Sequence, residues 1–291
     1  MSFSLRCPIC HSSIQVLESA TCANGHLFVV DGGTINFLGN SHSNPLDGHL
    51  VFDHACEKGG QILRLDNYVI PWLRNLNDLS NLRVLDNGCG NGQSIKHLID
   101  VGIDAYGVDP GQRTSQWSEL NIGEHLFIAD GTKLPFPNMT FDAIVSFGVI
   151  EHVGEGIASS RRAQDPYQQS YVNETIRVLK KGGRALIAAP NGAFPIDFWH
   201  AKHFGARLHR PYEHWMPTAP KVRRWAHNSP EPVSVRFLTP QDYLSFQRVK
   251  QHWYGRVLGG SMKAVLTVID KHPSLSTSIF NPFLIAEITR L

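Results

Sequence analysis

Of the 291 residues 42% are hydrophobic, enough for one large domain and a small one, and 27 Lys and Arg against 25 Asp and Glu leave a formal charge of +2. So mild a basicity does not compel a nucleic-acid partner, which shows a clustered basic face. No apolar run approaches a membrane span and Met1–Arg6 lacks a signal-peptide core, so a cytoplasmic protein is expected, in which five cysteines argue against a disulfide framework.

The chain opens with Cys7-Pro8-Ile9-Cys10 and then Cys22-Ala23-Asn24-Gly25-His26. Two short-spaced donor pairs joined by a small loop make a tetrahedral zinc site of Cys7, Cys10, Cys22 and His26. His11 is a poorer fourth ligand, because adjacency to Cys10 strains the chelate. Ser13–Leu17 and Leu27–Val30 suit short strands of a ribbon over residues 1–38. A module this small cannot fold on apolar burial alone, so the metal is expected to be structural. Residues 39–48 are polar and turn-rich, a linker. Residues 49–76 read as one or two helices with an apolar face of Ile62, Leu63, Leu65, Val69, Ile70 and Leu73.

Arg83-Val84-Leu85 reads as a buried strand ended by Asp86, and Gly88, Gly90 and Gly92 turn tightly into a helix beginning near Gln93. A glycine turn between strand and helix sets backbone N–H groups and a helix N-terminus against an anionic or polar ligand, though by itself it fits any nucleotide-type cofactor. A second strand, Ala105–Val108, ends in Asp109-Pro110. An acid there suits two ribose hydroxyls, or the cap of the helix that runs to about Leu120, or both. His125–Ala129 is a third strand, followed by Asp130-Gly131-Thr132, and Phe141–Phe147 is a fourth, running into Gly148-Val149-Ile150-Glu151-His152. Gly154–Tyr171, polar and long, is a candidate lid. A helix over Gln168–Leu179 is expected to end on Lys180-Lys181-Gly182-Gly183, cations and then glycine, before the fifth strand at Arg184–Ala189.

The ordered segments Val84–Gly92, Gly107–Pro110, Ala129–Pro137, Phe141–Val153 and Arg177–Gly183 together resemble the class I S-adenosylmethionine-dependent methyltransferases, in the branch called type 11, over roughly residues 60–191. The resemblance implies a Rossmann-like, doubly wound α/β sheet, mostly parallel, with Phe283–Thr289 as an antiparallel last strand beside the fifth. It gives a methyltransferase domain over residues 49–291 with a substrate cap at about 192–238. By the same resemblance Asp86, Asn87, Gly88, Cys89 and Gly90 would hold the methionine part of S-adenosylmethionine. Asp109 and Pro110 would meet the ribose, Asp130, Gly131 and Thr132 the adenine edge, and Phe147 and Gly148 would floor the sulfonium. The N-terminal module is similar to zinc ribbons that precede some methyltransferases; one such branch methylates a guanine of large-subunit ribosomal RNA, and others act on metabolites or glycans.

Methyl transfer requires alignment and dryness, and a base only where the acceptor holds a proton worth removing. Glu151 and His152, at the carboxyl edge of the sheet, are the candidates. Some relatives bind a divalent metal with Glu-x-x-Glu-His at this place and a later His, but here the first Glu is Gly148. In the aromatic and histidine-rich cap, His200 and His203 have metal-like spacing without a third ligand, and a packed cap with surface histidines is the default. Beyond it, a helix from Thr239 to about Phe246, a sixth strand at Gln251–Tyr254 and a helix at Ser261–Asp270 are expected. The aromatic cap and modest charge favour a small-molecule or glycan-type acceptor, methylated on oxygen. The rivals are a ribosomal RNA base N-methyltransferase, which a basic stripe would have supported, and a non-catalytic cofactor-binding partner subunit.

Overall fold

The structure, a computed structural model, describes residues 3–39, 60–198, 200, 207–209, 213–240 and 253–291, with the side chains of residues 112, 113, 115, 161, 162 and 253–259 left undescribed. The linker after Gly39, Cys56, the helical expectation for residues 49–59, His203 and the helix expected over residues 241–246 lie outside the described residues.

The N-terminal strands are β1 (Leu5–Arg6), β2 (Ser13–Val16), β3 (Ala20–Cys22), β4 (Leu27–Asp31) and β5 (Thr34–Asn36). A helix over residues 60–74 follows, widened to π winding at Leu65–Val69 and regular at Ile70–Arg74. Next come β6 (Arg83–Asn87), helix α1 (Gln93–Asp100), β7 (Asp104–Asp109), a 3₁₀ stretch at Gln112–Leu120, β8 (Leu126–Ile128) and β9 (Phe141–Phe147). The chain then forms helix α2 (Asp165–Val178), β10 (Leu179–Pro190), β11 (Ile196–Asp197), β12 (Arg207–Leu208), helix α3 (Ala219–His227), β13 (Val233–Leu238), helix α4 (Trp253–Lys271) and β14 (Phe283–Arg290).

Twelve of these strands form one sheet in the order β1-β2-β3-β4-β5-β8-β7-β6-β9-β10-β14-β13, and β11 pairs with β12 apart from it. The middle is parallel, from β5 to β10, and β14 runs antiparallel to both β10 and β13. This is the Rossmann-like doubly wound sheet. Its central strands are covered on both faces, which is why Val84-Leu85 and Ala143-Ile144-Val145 are unbroken apolar runs rather than alternating ones. One face buries Phe127, Phe136, Phe141, Tyr171 and Trp225, and the other Leu73, Leu82, Ile95, Leu98 and Trp117.

The ribbon strands continue this sheet. Ile35 stands opposite Phe127, and Phe37 N donates to Ile128 O at 2.8 Å. Phe37 packs between Phe28 at 4.9 Å and Phe127 at 6.3 Å. Burying each such ring is worth about 1.5–3 kcal/mol. Gly123 permits the junction, because a Cβ there would lie 1.9 Å from Gly32 O.

Three local expectations differ. Lys180–Gly183 does not cap a helix: α2 ends at Val178, and the segment enters β10 with a register shift between Leu179 and Arg184. These residues bulge out of the ladder, whose partners beside β9 are Leu179 with Phe141 and then Arg184 with Ala143. The strand beyond the fifth is β13, with its two-residue alternation in Val233-Ser-Val-Arg-Phe-Leu, and Trp253-Tyr254 belong to α4. The acid Asp109 caps a turn rather than a helix, since Gly111 stands before the 3₁₀ stretch. Among the described residues no helix is long and apolar enough to cross a membrane.

Candidate active site

The carboxyl ends of β6, β7 and β8 lie side by side and carry the candidate acids. β6 ends in the turn Gly88–Gly92, where φ is +100° at Gly88 and +75° at Gly92. A Cβ on Gly88 would come 2.3 Å from Val149 Cγ2, so the close approach of this loop to the end of β9 requires glycine. Asp109 closes the turn from β7: its Oδ2 accepts from Gly90 N at 2.9 Å and its Oδ1 from Gly111 N at 2.8 Å. Trp117 Nε1 donates to Gly90 O at 2.9 Å from the other side. Asp130, after β8, accepts from Thr132 N at 2.8 Å, and Gly131 lies against Tyr171 and Asn87, where a Cβ would meet them at 2.6 and 2.7 Å.

Asp86 is 4% exposed. Its Oδ2 accepts from Ser94 Oγ at 2.6 Å, while its Oδ1 is buried without a hydrogen-bond partner. Burial pushes its carboxyl up to about 6, against the Ser94 hydrogen bond and the Arg64 charge, which pull it down. Asn87 Oδ1 is likewise buried without a hydrogen-bond partner, and Asn87 O accepts from Tyr171 Oη at 2.6 Å. Tyr171 Oη lies 2.7 Å from Ser146 Oγ, which ties β6, β9 and α2 together beneath the turn. An open cleft of about 330 Å³ lies over these groups, lined by Arg64, Leu65, Asp86, Gly88, Ser94 and Phe147 among others. Arg64, on the helix before the sheet, stacks its guanidinium 4.9 Å from the Phe147 ring centre. Burial pushes the Cys89 thiol far up, and with Sγ packed toward Gly107 it is a space-filling thiol and not a nucleophile.

A second group of side chains gathers where β9 ends. Gly148 N donates to Ala188 O at 2.8 Å, and the 3₁₀ turn Ile150–His152 follows. Glu151 is 2% exposed, its Oε2 has no hydrogen-bond partner, and burial raises its pKa. His152 Nδ1 lies 2.9 Å from Glu155 Oε2 in an outward-facing pair. The cap brings a third group: one donor atom each of Glu151, His152 and His200 lie within 4.8 Å of one another. His200 is held by Asp197, whose Oδ2 is 3.0 Å from its Nδ1. Gln168, fully buried on α2, binds turn and cap at once, donating to Ile150 O at 2.9 Å and Trp215 O at 2.7 Å. Sequence spacing paired His200 with His203; Arg64, Gln168 and Tyr171 carried no motif and emerge only from packing.

At the N-terminus Cys7, Cys10, Cys22 and His26 present donors within 4.8 Å of one another. Cys10 Sγ to Cys22 Sγ is 3.6 Å, and His26 Nδ1 lies 3.3 Å from Cys22 Sγ and 3.7 Å from Cys7 Sγ. Bonds of about 2.3 Å to sulfur and about 2.0 Å to nitrogen on a tetrahedral ion give edges of this length.

Residues 85–187 match the family described as "Methyltransferase domain". A Mycolicibacterium smegmatis protein named "Probable S-adenosylmethionine-dependent methyltransferase" is 31% identical over 50% of this chain and 52% of its own length. A ubiquinone biosynthesis O-methyltransferase of Rhizobium rhizogenes is 28% identical over 60% of this chain and 69% of its own length. The chain thus spans about half to two thirds of these curated relatives. A solved S-adenosylmethionine dependent methyltransferase from Mesorhizobium loti is 16% identical, covering 76% of this chain and 96% of that one, with a TM-score of 0.45, a remote likeness. The matched segment, 85–187, is the part of the chain that holds the glycine turn and the acids at the ends of β6, β7 and β8, and it is similar to S-adenosylmethionine-dependent methyltransferases.

Proposed function

We propose that the chain methylates a small-molecule hydroxyl from S-adenosylmethionine and that its N-terminal strands are a ribbon built on structural zinc. The observation that carries the reading is the buried, partnerless Oδ1 of Asp86 at the rim of the cleft, beside Arg64 and the glycine turn. A buried carboxylate oxygen without a donor costs about 1–3 kcal/mol or more, and an ammonium group supplies the donor it lacks. Asp86 and Arg64 would take the amino and carboxylate ends of the cofactor's methionine, with the backbone of Asn87, Gly88, Cys89 and Gly90 along it. Asp109, held at the end of β7 by Gly90 N and Gly111 N, would meet the ribose diol, next to Pro110. Asp130, Gly131 and Thr132 would meet the adenine, and Phe147 and Gly148 floor the reacting end. When bound, the cofactor supplies a methyl group on a positively charged sulfur. Glu151 and His152 stand on the acceptor side.

The charge is modest, and the named relatives that act on small molecules, the ubiquinone biosynthesis O-methyltransferase among them, support the acceptor class. For the ribbon, the sulfur and nitrogen edges fit zinc; the metal would clamp β1–β4 and leave β5 to pair with β8.

Calorimetry with S-adenosylmethionine, followed by incubation of labelled cofactor with a phenol and catechol panel and with cell extract, tests the enzyme reading. Label in a small phenolic product supports it. Label in RNA or glycan replaces the acceptor, and tight binding without transfer to anything leaves a non-catalytic partner subunit. Zinc content near one per chain, lost on Cys22→Ser together with order in residues 3–39, tests the ribbon; unchanged zinc removes the site.

A further inference from the structure

Two imidazoles reach the buried carboxylate Asp197. His209 has its other nitrogen engaged, Nδ1 against Phe194 O, and lies inside the cap. His200 meets Asp197 through Nδ1 and through its backbone N–H at 3.1 Å, so its tautomer and orientation are set from one side. Its ring stands edge-on to Trp215 at 4.8 Å and 5.2 Å from the ring of His152. With Nδ1–H given to a carboxylate, the remaining nitrogen, Nε2, carries the lone pair. The His200 side chain is 14% exposed and the Asp197 side chain 0%, against 41% and 36% for His152 and Glu155. His200 is therefore the more enclosed of the two imidazoles, and the carboxylate that holds it is fully buried.

We propose that His200, oriented by Asp197, is the base that takes the acceptor's hydroxyl proton, beside Glu151 and His152. This rests on the methyltransferase reading above. In the step the acceptor O–H bond breaks and its proton goes to His200 Nε2. The oxygen forms the bond to the methyl carbon, and the sulfur keeps the electron pair of the bond that breaks and becomes neutral. Asp197 balances the imidazolium, and Arg207 Nη2 donates to Asp197 Oδ2 at 2.6 Å from behind it. Among the described residues the groups facing His200 are Asp197, with Arg207 and His209 behind it, Trp215, and Glu151 and His152, with Glu155 on the far side of His152. Asp197 is a positioning residue.

The experiment joins a readout without turnover to one with it. Long-range nitrogen NMR on the ¹⁵N-histidine protein should show His200 protonated at Nδ1 and bare at Nε2, a pattern that Asp197→Asn disturbs. With 3,4-dihydroxybenzoate as acceptor, His200→Gln should lower kcat about 10²-fold or more with cofactor affinity within about twofold. It should also erase the acid limb of the kcat–pH profile, which His152→Gln keeps. A His200 bare at Nδ1, or an acid limb retained in His200→Gln, overturns the proposal. So does wild-type activity that chelation abolishes and Mg²⁺ restores, which makes the cluster a cation site. If the wild type binds cofactor but leaves this catechol unmethylated, the acceptor class falls and the tautomer measurement decides the present proposal.

Discussion

The two proposed walls of the site, one for the cofactor and one for the acceptor, are built differently. The proposed cofactor wall is short-range: Asp86, the glycine turn and Asp109 lie within one strand–helix–strand unit, and the Asp109 contacts that shape it are to backbone N–H groups. The proposed acceptor wall is long-range: Glu151 and His152 come from the end of β9 and Asp197 and His200 from the cap, joined through Gln168 on α2. A backbone-built wall is intolerant of a single added atom yet indifferent to most side chains nearby. A side-chain wall held by one buried amide can be loosened without touching the cofactor, which suits a surface that has to match an acceptor.

The sharpest break is expected at Gly88→Ala. The new Cβ would stand 2.3 Å from Val149 Cγ2 at a backbone with φ of +100°, so calorimetry should show cofactor affinity down about 10²-fold or more, with strain of order 1–3 kcal/mol. An unaltered affinity would mean that the turn does not seat the cofactor. Asp109→Ala comes next: losing a charged, two-oxygen contact should weaken cofactor binding about 10- to 100-fold, by the same titration.

The pH dependence is smaller. Asp86 must be ionised to receive an ammonium group, and its carboxyl sits at about 6 in the unliganded fold. Between pH 7 and pH 5 cofactor affinity should fall about tenfold, and Asp86→Asn should flatten that slope. Stability runs the other way. A folded value raised above the ordinary carboxylate value means the folded state binds the proton more tightly than the unfolded chain. The unliganded protein therefore gains stability from this group as pH falls through 6 toward 4, visible as a rising melting temperature relative to Asp86→Asn. The smallest effect is Gln168→Leu, which removes two buried hydrogen bonds and orphans two carbonyls. It should cost about 1–3 kcal/mol in denaturant unfolding and reduce methyl transfer while leaving cofactor affinity within about twofold, a split that the cofactor-wall variants do not show.

The difference between the walls also explains what could be read in advance. The central strands, the glycine turn and the order of the acids were legible because each is a local pattern: apolar runs of strand length, glycines where φ is positive, an acid at a strand end. β13 was misplaced although its alternation stood in plain view, because aromatic Trp253-Tyr254 offered a competing strand that helix α4 overrides. Lys180–Gly183 looked like a helix cap by composition and became a bulge in β10, because Leu179 and Arg184 on either side of it pair with β9. Arg64 carries no signal at all, since only the folding of its helix over Phe147 brings it to the cleft.

By itself the sequence determined the parallel core, the glycine turn and the clustering of Cys7, Cys10, Cys22 and His26, because each depends on neighbours close in sequence and on backbone preferences that travel with the residue. Only the tertiary structure decided that the ribbon's last strand joins the main sheet at β8, and that Asp197 and His200 meet Glu151 and His152. Those contacts join segments tens of residues apart, and they are set by which apolar faces bury together, a quantity no short window of sequence contains.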